Sequence, residues 1–421
     1  MNIHSTPKLT AAETALVDAF GERLSYLPGD ATVTVKRDDA VEVLKAGLPT
    51  RRVEAWHYTD LRRLLTAVPG YDPTLAARAK PALLAGSTVL PVLNGVAGAT
   101  AKIDGVSVSK LIDKLLDGSF APALGAQEDA DAVGALNTAF VADGWFIDIA
   151  ARAEVSGPIE IQNVQAGGQT HSRFPVRVGE GAKATIVERQ TGEGDALVSS
   201  ISHLTLAKDA ELTWIIVQDH PEGATHFGQF NAELAEGAKL TLFIMNAGSK
   251  LVRQEVRVRM PGEGSDFQLR GINLLTGDTH CDVTMMLDHL AENTTSTEIV
   301  RNVANGTAKG VFQGQIRVAK EAQKTDARMA CNTLLLSDEA EFSTKPELEI
   351  FADDVACGHG ATVTEIDRNH LFYLMARGID EKTARGLLVK AFVAEIIEEL
   401  EDEPTVEVLE GLLDEWFAAH V

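Results

Sequence analysis

The sequence predicts a mainly β protein with helical ends, in which a β-solenoid forms the central body. Between about Val155 and Ile350, short alternating runs rich in Val, Ile, Thr and Leu are separated by clusters of Gly, Asp, Asn and Glu. Three similar turns, EGAKATI, KDAELTW and EGAKLTL, place Ala182, Ala210 and Ala238 28 residues apart. Recurrence of one turn type at a fixed spacing favours the stacked coils of a solenoid over a β-sandwich.

The N-terminal region, residues 1–150, is predicted to be largely helical. Thr10 and Glu13 have the spacing of a capping box. The apolar positions that follow on one helical face are Leu16, Val17, Phe20 and Leu24. A second helix is predicted from Asp38 to Lys45. The motif GLPTRRVEAWHYTDLRRLL, residues 47–65, is expected to pack onto the following region. Its apolar members are Trp56, Tyr58 and Leu61.

The central region, residues 151–355, is predicted to form the solenoid. Further strand-like segments, such as SSISHLTLA, FGQFNAELA and VRQEVRVRM, lie between the repeated turns. Each repeat therefore carries at least two strands and two corners. Continuing the spacing leads to GSDFQLR, with Asp266 in register with the three alanines.

The C-terminal region, residues 356–421, is predicted to be helical after an initial segment that holds Cys357 and His359. Pro404 separates two apolar stripes with helical spacing. The first comprises Leu388, Val389, Phe392, Val393, Ile396, Ile397 and Leu400, and the second Val408, Leu409, Leu412, Leu413, Trp416 and Phe417. This periodicity fits two interpretations equally well: a helical pair that caps the solenoid, or a surface that docks a partner.

Charge and composition argue against several classes of function. The formal net charge is −23, from 61 acidic and 38 basic residues, so binding to nucleic acid or to an anionic membrane is not expected. The first ten residues lack the pattern of a secretory signal, and no hydrophobic run is long enough for a bilayer, which predicts a cytoplasmic protein. In a reducing compartment Cys281, Cys331 and Cys357 are expected to be free thiols or ligands.

Common catalytic motifs are absent from the sequence. It contains no GxxxxGK[ST] phosphate loop, no G-x-G-x-x-G opening a helix, no G-x-S-x-G and no H-E-x-x-H. We therefore predict no catalytic residue and no nucleotide bound by this chain. His280 beside Cys281 is interpreted as an incidental pair, because adjacent residues of a strand point to opposite faces.

The segment DDVACGHGATVTEID, residues 353–367, is the strongest candidate site. If it is extended, Cys357 and His359 project to the same side and can address one metal ion. Gly358 and Gly360 would permit tight turns and the close approach of another backbone. Two ligands do not complete a tetrahedral site, so a metal requires ligands from elsewhere or from another chain. A buried thiol beside a turn histidine, and a nucleophilic cysteine, stay open as alternatives.

Three ordered segments of the chain resemble the C-terminal signature of the SufB/SufD family of iron–sulfur cluster assembly proteins. They are GVFQGQIRV (310–318), AQKTDARMACNTLLLSDEAEFSTKPELEIFADDVACGHGATV (322–363) and LFYLMARGI (371–379). The upstream GLPTRRVEAWHYTDL resembles the N-terminal motif of the same family. The resemblance implies a right-handed parallel β-helix between helical regions. Moderate length, the N-terminal motif and the scarcity of cysteines favour the SufD branch of the family.

The same resemblance implies partners and roles for the candidate residues. His359 matches a histidine placed at the interface with SufB and implicated in building the nascent cluster, and Cys357 matches a neighbouring cysteine. Gly358 stands where many relatives have serine, and Glu365 where glycine followed by glutamine is common. Iron or a cluster would be held transiently and shared with SufB, which pairs along the β-helix. The ATPase SufC would dock on the C-terminal helices and bind the nucleotide, and the chain alone would form a homodimer.

Two alternatives stay open beside this non-enzymatic assembly subunit. The first is a SufB-like primary scaffold, which should hold a cluster on the isolated chain. The second is a β-helical carbohydrate-active enzyme, which needs paired carboxylates on one solenoid face and should cleave glycans without a partner.

Overall fold

Two sheets built from alternate strands form the body of the molecule. The computed structural model describes residues 8–72, 74–125 and 131–420. In this part of the chain, successive strands are added in turn to a ten-stranded sheet A and a nine-stranded sheet B. Eight strand pairs, from β4 and β5 to β18 and β19, make the coils of a β-solenoid. The mainly β fold with a solenoid and helical ends is thus confirmed.

Sheet A contains β1 Thr88–Leu93, β2 Val96–Ala97, β5 Ile159–Gln165, β7 Lys183–Gly192, β9 Glu211–Gln218, β11 Lys239–Asn246, β13 Asp266–Leu275, β15 Thr295–Ala304, β17 Asp326–Leu335 and β19 Ala356–Glu365. Sheet B contains β3 Val106–Lys110, β4 Asp143–Ile149, β6 Gly168–Val178, β8 Ala196–Leu206, β10 Thr225–Leu234, β12 Leu251–Met260, β14 His280–His289, β16 Lys309–Val318 and β18 Glu341–Ile350. The pairs β1–β2 and β3–β4 are antiparallel, whereas the ladders between coils are parallel. The solenoid therefore extends at both ends beyond the range 151–355 expected from the sequence.

The helices lie before and after the solenoid coils. They are α1 Ala11–Arg23, α2 Ala31–Lys45, α3 Leu61–Leu64, α4 Leu111–Leu116, α5 Ala132–Phe140, α6 Arg368–Ala376, α7 Glu381–Glu398 and α8 Glu403–His420, with 3-10 turns at Leu24–Tyr26, Glu54–Trp56 and Ala121–Ala123. The predicted capping box of Thr10 and Glu13 is present at the start of α1. The second helix begins at Ala31 rather than Asp38, because Asp30 accepts a hydrogen bond from the Val33 N–H and caps it. None of the described helices is long and apolar enough to cross a membrane.

Equivalent corners recur along sheet A, as the spacing of the three alanines predicted. Ala182, Ala210 and Ala238 are fully buried, and the residues after them pair in register across β7, β9 and β11. The residue before each alanine has a positive φ: Gly181 (63°), Asp209 (55°) and Gly237 (63°). Glycine or a short polar residue suits this conformation, which explains the repeated Gly-Ala or Asp-Ala pair.

The next corner corrects one expectation. Asp266 pairs with Lys239 rather than lying in register with Ala238. The corner equivalent to Ala238 is the fully buried Ser265. The coil that ends there is one residue shorter than the two before it, so a fixed spacing of 28 fails at this point.

Helices cover the outer faces of both sheets. The outer face of sheet B packs on α1, α2 and α5 through Leu197, Phe227 and Leu251. The outer face of sheet A packs on α7 and α8 through residues that include Ile272 and Val303. The buried members of the two C-terminal apolar stripes are Val389, Val393, Ile396, Ile397, Leu409, Leu413 and Trp416. These side chains therefore attach the helical pair to the side of the solenoid.

The N-terminal motif packs onto the solenoid, as predicted. Trp56 is 1% exposed, and the Arg253 guanidinium lies 4.3 Å from the centroid of its ring. The Thr59 hydroxyl donates a hydrogen bond to Asp282 and lies 2.9 Å from His280 Nε2. A cation over an indole ring and a buried hydroxyl between two polar side chains fix this segment against strands β12 and β14.

Candidate functional site

Cys357 and His359 lie on β19, the last strand of sheet A. The strand pairs with β17, with Cys357 opposite Ala327 and His359 opposite Met329. Cys357 is half-buried and packs against the solenoid core, whereas His359 is exposed. Since the two residues alternate with Gly358 on an extended strand, they project to the same side, as predicted.

The glycines of this segment do not form a turn. Gly358 and Gly360 are both within the regular strand, and a Cβ added to either would meet nothing within 4 Å. The expectation of a tight turn is therefore wrong, and so is the alternative of a turn histidine. The space around both glycines leaves the outer surface of β19 accessible to another chain.

The Cys357 thiol is not activated as a nucleophile. Burial raises its pKa, the Ala327 backbone N–H lowers it, and the charges of Asp326 and Glu298 raise it further. A thiol with a raised pKa is mostly protonated at neutral pH and reacts slowly. The Cys357 thiol can still lose its proton when a metal ion binds, because a cation favours the thiolate.

The other two cysteines belong to the solenoid core. Burial raises the pKa of the Cys281 thiol strongly and that of Cys331 to about 11. Asn302 Nδ2 donates a hydrogen bond to Cys331 Sγ over 3.4 Å. His280, next to Cys281, faces outward to Thr59 while the thiol faces the core, so the two residues do not form a joint site.

Glu298 is a polar residue near this site that the sequence analysis missed. It is 0% exposed on β15, and neither carboxylate oxygen has a hydrogen-bond partner among the described residues. Burial raises its pKa to about 8. The run TSTEIVRNV could have predicted this burial, because its alternation puts Glu298 on the same side of the strand as the core residue Val300.

A cavity of about 620 Å³ adjoins these residues. It is lined by Thr297, Glu298, Ile299, Arg328, Met329, Ala330, Ala356, Cys357, Gly358 and His359. Within the described ranges, no three His, Cys, Asp or Glu side chains converge closely enough to hold a metal ion. The arrangement therefore offers a thiol and an imidazole at an open edge, with an unpaired carboxyl group behind them.

The uncovered end of the solenoid also has exposed apolar side chains. On β18, β19 and the residue after β18, these are Ile350, Phe351 and Val363. Helix α6 has no buried residue and exposes Phe372, Tyr373 and Met375, and Leu387 of α7 is exposed as well. Apolar groups concentrated at one end of a molecule are typical of protein interfaces.

Comparison with known proteins assigns the family. A family model described as the SufBD core domain of SUF-system iron–sulfur cluster assembly matches residues 161–392, more than half of the chain. The chain belongs to the SufBD family. The match runs from β5 through β19 into α7, so it includes the candidate site. It places the chain among iron–sulfur cluster assembly proteins rather than carbohydrate-active enzymes.

Several members of the SufBD family align with most of the chain. The iron–sulfur cluster assembly protein SufD of Escherichia coli is 29% identical over 86% of this chain and 88% of its own length. A SufBD family protein of Synechocystis is 26% identical over 88% of each chain. The chloroplastic protein ABCI7 of Arabidopsis thaliana is 26% identical over 91% of this chain and 86% of its own. The similarity extends into the N-terminal region outside the core domain.

Proposed function

We propose that this SufBD family protein is a SufD-type, non-enzymatic subunit of a SufB–SufC–SufD complex. In that complex it would build an iron–sulfur cluster at an interface shared with SufB. The observation that carries the proposal is the exposed imidazole of His359 on the last strand of the solenoid, beside the half-buried thiol of Cys357. The cluster is then a substrate that the complex assembles and releases.

Incomplete ligation within this chain supports a shared site. Cys357 and His359 are two ligands of types that bind iron, and a [2Fe–2S] or [4Fe–4S] cluster usually has four protein ligands. The remaining ligands would come from SufB. A site divided between two chains can release its product when the interface moves, whereas a site closed within one chain would retain it.

The free edges at the end of the solenoid support pairing with SufB. Strands β18 and β19 are the outermost strands of their sheets. An edge strand presents unpaired N–H and C=O groups that another strand can satisfy. The exposed Ile350, Phe351 and Val363 lie on or next to these strands and would add apolar contact. The same edges would pair two copies of the chain in the absence of SufB.

Docking of the ATPase SufC is assigned to the C-terminal region, residues 356–421. Because α7 and α8 already pack on sheet A, the surface left for SufC is α6 with its exposed Phe372, Tyr373 and Met375. SufC would bind the nucleotide, and this chain would bind none. The complex is expected in the cytoplasm, without nucleic-acid or membrane partners.

Co-purification tests the complex, and a substitution tests the site. The tagged chain should retain untagged SufB and SufC, with subunit ratios measured by native mass spectrometry. His359→Ala should leave assembly intact and reduce cluster formation by the complex about tenfold or more, because it removes a ligand. Thr364→Ala, an exposed position on the same strand, is the matched control.

The two site residues should differ in effect. Cys357→Ala is expected to reduce cluster formation less than His359→Ala, because the protonated thiol is partly committed to core packing. The measurement is maturation of a recipient protein in cells that lack the native chain. A His359→Ala chain that supports maturation at the wild-type rate would show that His359 is not a ligand.

A further inference from the structure

Glu298 extends the site inward from the open edge of the solenoid. We propose that Glu298 is a positioning residue whose carboxylate supplies the negative charge that holds a metal cation against His359 and Cys357. The inference rests on the proposed function of that pair, and it adds a residue that neither ligates at the surface nor faces a partner. Its evidence is the register of three strands, the packing between them and the hydrogen bonding of buried carboxyl groups.

The register of the strands aligns Glu298 with the site. Glu298 pairs with Met329, and Met329 pairs with His359, so the three residues occupy one line across β15, β17 and β19. Two strand spacings separate the backbones of Glu298 and His359 by about 10 Å. Charges at this distance interact appreciably when protein rather than water lies between them.

The side chains between Glu298 and the site leave the path open. Met329 reaches across to sheet B, where a Cβ on Gly314 would lie 2.3 Å from Met329 Sδ. Two residues earlier on the same three strands, Ser296 pairs with Ala327, and Ala327 pairs with Cys357. The methyl group of Ala327 is too small to fill the space between these strands. The Glu298 carboxyl group and the Cys357 thiol accordingly line the same cavity.

Hydrogen bonding separates Glu298 from a structural carboxyl group of the same interior. Glu188, which is also buried, accepts hydrogen bonds from Ser202 Oγ at 2.7 Å, Gln190 Nε2 at 2.6 Å and Trp214 Nε1 at 3.2 Å. The carboxyl oxygens of Glu298 make no regular hydrogen bond among the described residues and interact only weakly with the Ser296 hydroxyl. A buried carboxyl group without donors lowers stability, so its presence points to a role other than holding the coils together.

The chemistry involves one proton and no redox change. When a divalent cation binds at His359 and Cys357, the nearby positive charge favours the ionised form of Glu298, and its proton leaves to water. The resulting carboxylate offsets one positive charge of the ion. Two strand spacings, about 10 Å, keep the carboxylate from direct contact with the metal, so the effect is on affinity and not on the ligand set.

Binding of Co²⁺ to the full-length chain tests the proposal. Isothermal titration calorimetry gives the affinity, and visible absorption reports thiolate ligation by Cys357. At pH 8, where about half of the Glu298 carboxyl groups are ionised before the metal binds, we expect Glu298→Gln to weaken Co²⁺ binding about tenfold, which corresponds to one charge at this distance. Glu298→Asp, which keeps the charge, should recover most of the affinity. Glu188→Gln, the matched buried carboxyl about four coils away, should bind Co²⁺ as the wild type does.

The outcomes distinguish this inference from the proposed function. If Glu298→Gln binds Co²⁺ within twofold of the wild type while His359→Ala loses binding, the role of Glu298 is refuted and the ligand assignment stands. A wild-type chain that binds no Co²⁺ also refutes it, whereas the proposed function is then decided by maturation in cells.

Thermal unfolding tests whether Glu298 has only a structural role. Glu298→Met fills a similar volume without a polar group, so its melting temperature should equal or exceed that of the wild type. Lower melting temperatures for both Glu298→Met and Glu298→Gln, with unchanged Co²⁺ affinity for the folded variants, would assign Glu298 a structural role and overturn the proposal. If Glu298→Gln does not fold, that result counts against the proposal as well.

Discussion

Glu298 makes the stability of the solenoid depend on pH. Burial raises the pKa of its carboxyl group from 4.5 to about 8, although Ser296 and Arg270 lower it and Asp266 adds a small increase. Below pH 4.5 the group is protonated in the folded and the unfolded chain, so it costs nothing. Between pH 4.5 and 8 only the unfolded chain ionises, and the free energy of unfolding falls by roughly 1.4 kcal/mol per pH unit from this group.

We expect Glu298→Gln to remove this dependence. Relative to the wild type, the free energy of unfolding of the variant should rise by about 2–3 kcal/mol between pH 5 and pH 7.5. Urea titrations at several pH values measure the difference, with Glu222→Gln at an exposed position as the control. Parallel pH profiles for Glu298→Gln and the wild type would contradict a buried, protonated carboxyl group.

At the scale of single residues, the sequence was sufficient to predict part of the candidate site. The resemblance and the two-residue spacing of Cys357 and His359 located the pair, and the strand confirms their common side. Alternation in β15 indicated which face Glu298 occupies, but not that its carboxyl oxygens would lack regular hydrogen bonds. Hydrogen bonding of a buried group depends on three strands distant in sequence, so periodicity alone does not report it.

Two of the three arginines on the outer face of β12, Arg253 and Arg259, have different roles. Arg253 is enclosed, with Asp282 2.6 Å from Nη1 and Glu255 3.1 Å from Nε. Arg259 pairs with Glu233 over 3.1 Å, and its side chain is 60% exposed. The first ion pair also holds Trp56, so it joins the N-terminal motif to the coils.

Replacing these two arginines should separate their contributions. Arg253→Ala leaves Asp282 buried without its cation, whereas Glu255 keeps its ion pair with Arg257, and it should lower the free energy of unfolding by about 3–5 kcal/mol. Arg259→Ala should lower it by less than about 1 kcal/mol, because water screens the exposed pair. Urea unfolding measures both values. Equal losses would mean that the N-terminal motif is not anchored through Arg253.

Elements with repeated or capped patterns were the ones that the sequence predicted well. The capping box of Thr10 and the corners at Ala182, Ala210 and Ala238 follow from local geometry. Strands β1, β3 and β4 were missed because they lie among helices and pair with strands distant in the chain, and β2 was missed because it is only two residues long. The start of α2 was missed because its run ATVTV is typical of strands, and tertiary packing of Val33 outweighs that preference.

Helices cover the two sheets of the solenoid but leave its last coil exposed. Helices α1, α2 and α5 lie on sheet B and helices α7 and α8 on sheet A, whereas the last coil has exposed side chains along β19. Sequence periodicity did not distinguish a cap from a docking surface, because both require an apolar helical face. Only the tertiary arrangement shows that the α7 and α8 stripes are largely used internally and that α6 is not.

Surface substitutions on α6 should therefore separate SufC docking from folding. Phe372 is 71% exposed and Met375 41%, so Phe372→Glu and Met375→Glu together should leave the melting temperature within a few degrees of the wild type. Removing both apolar contacts and adding two charges should weaken SufC binding at least tenfold, measured by calorimetry. Tyr26→Glu, at a position 87% exposed in the N-terminal region, is the control.

Deletion of the residues beyond Pro404 also tests whether SufC docks on the C-terminal helices. It removes α8 with Leu409, Leu413 and Trp416, which pack on α7, so it should weaken SufC binding by loosening the helical region while the coils stay folded. Circular dichroism of the strands should be preserved, since each coil is held mainly by its neighbours. If SufC binds the α6 double variant and the truncated chain as tightly as the wild type, its docking surface includes neither α6 nor α8, and the assignment of docking to these two helices is wrong.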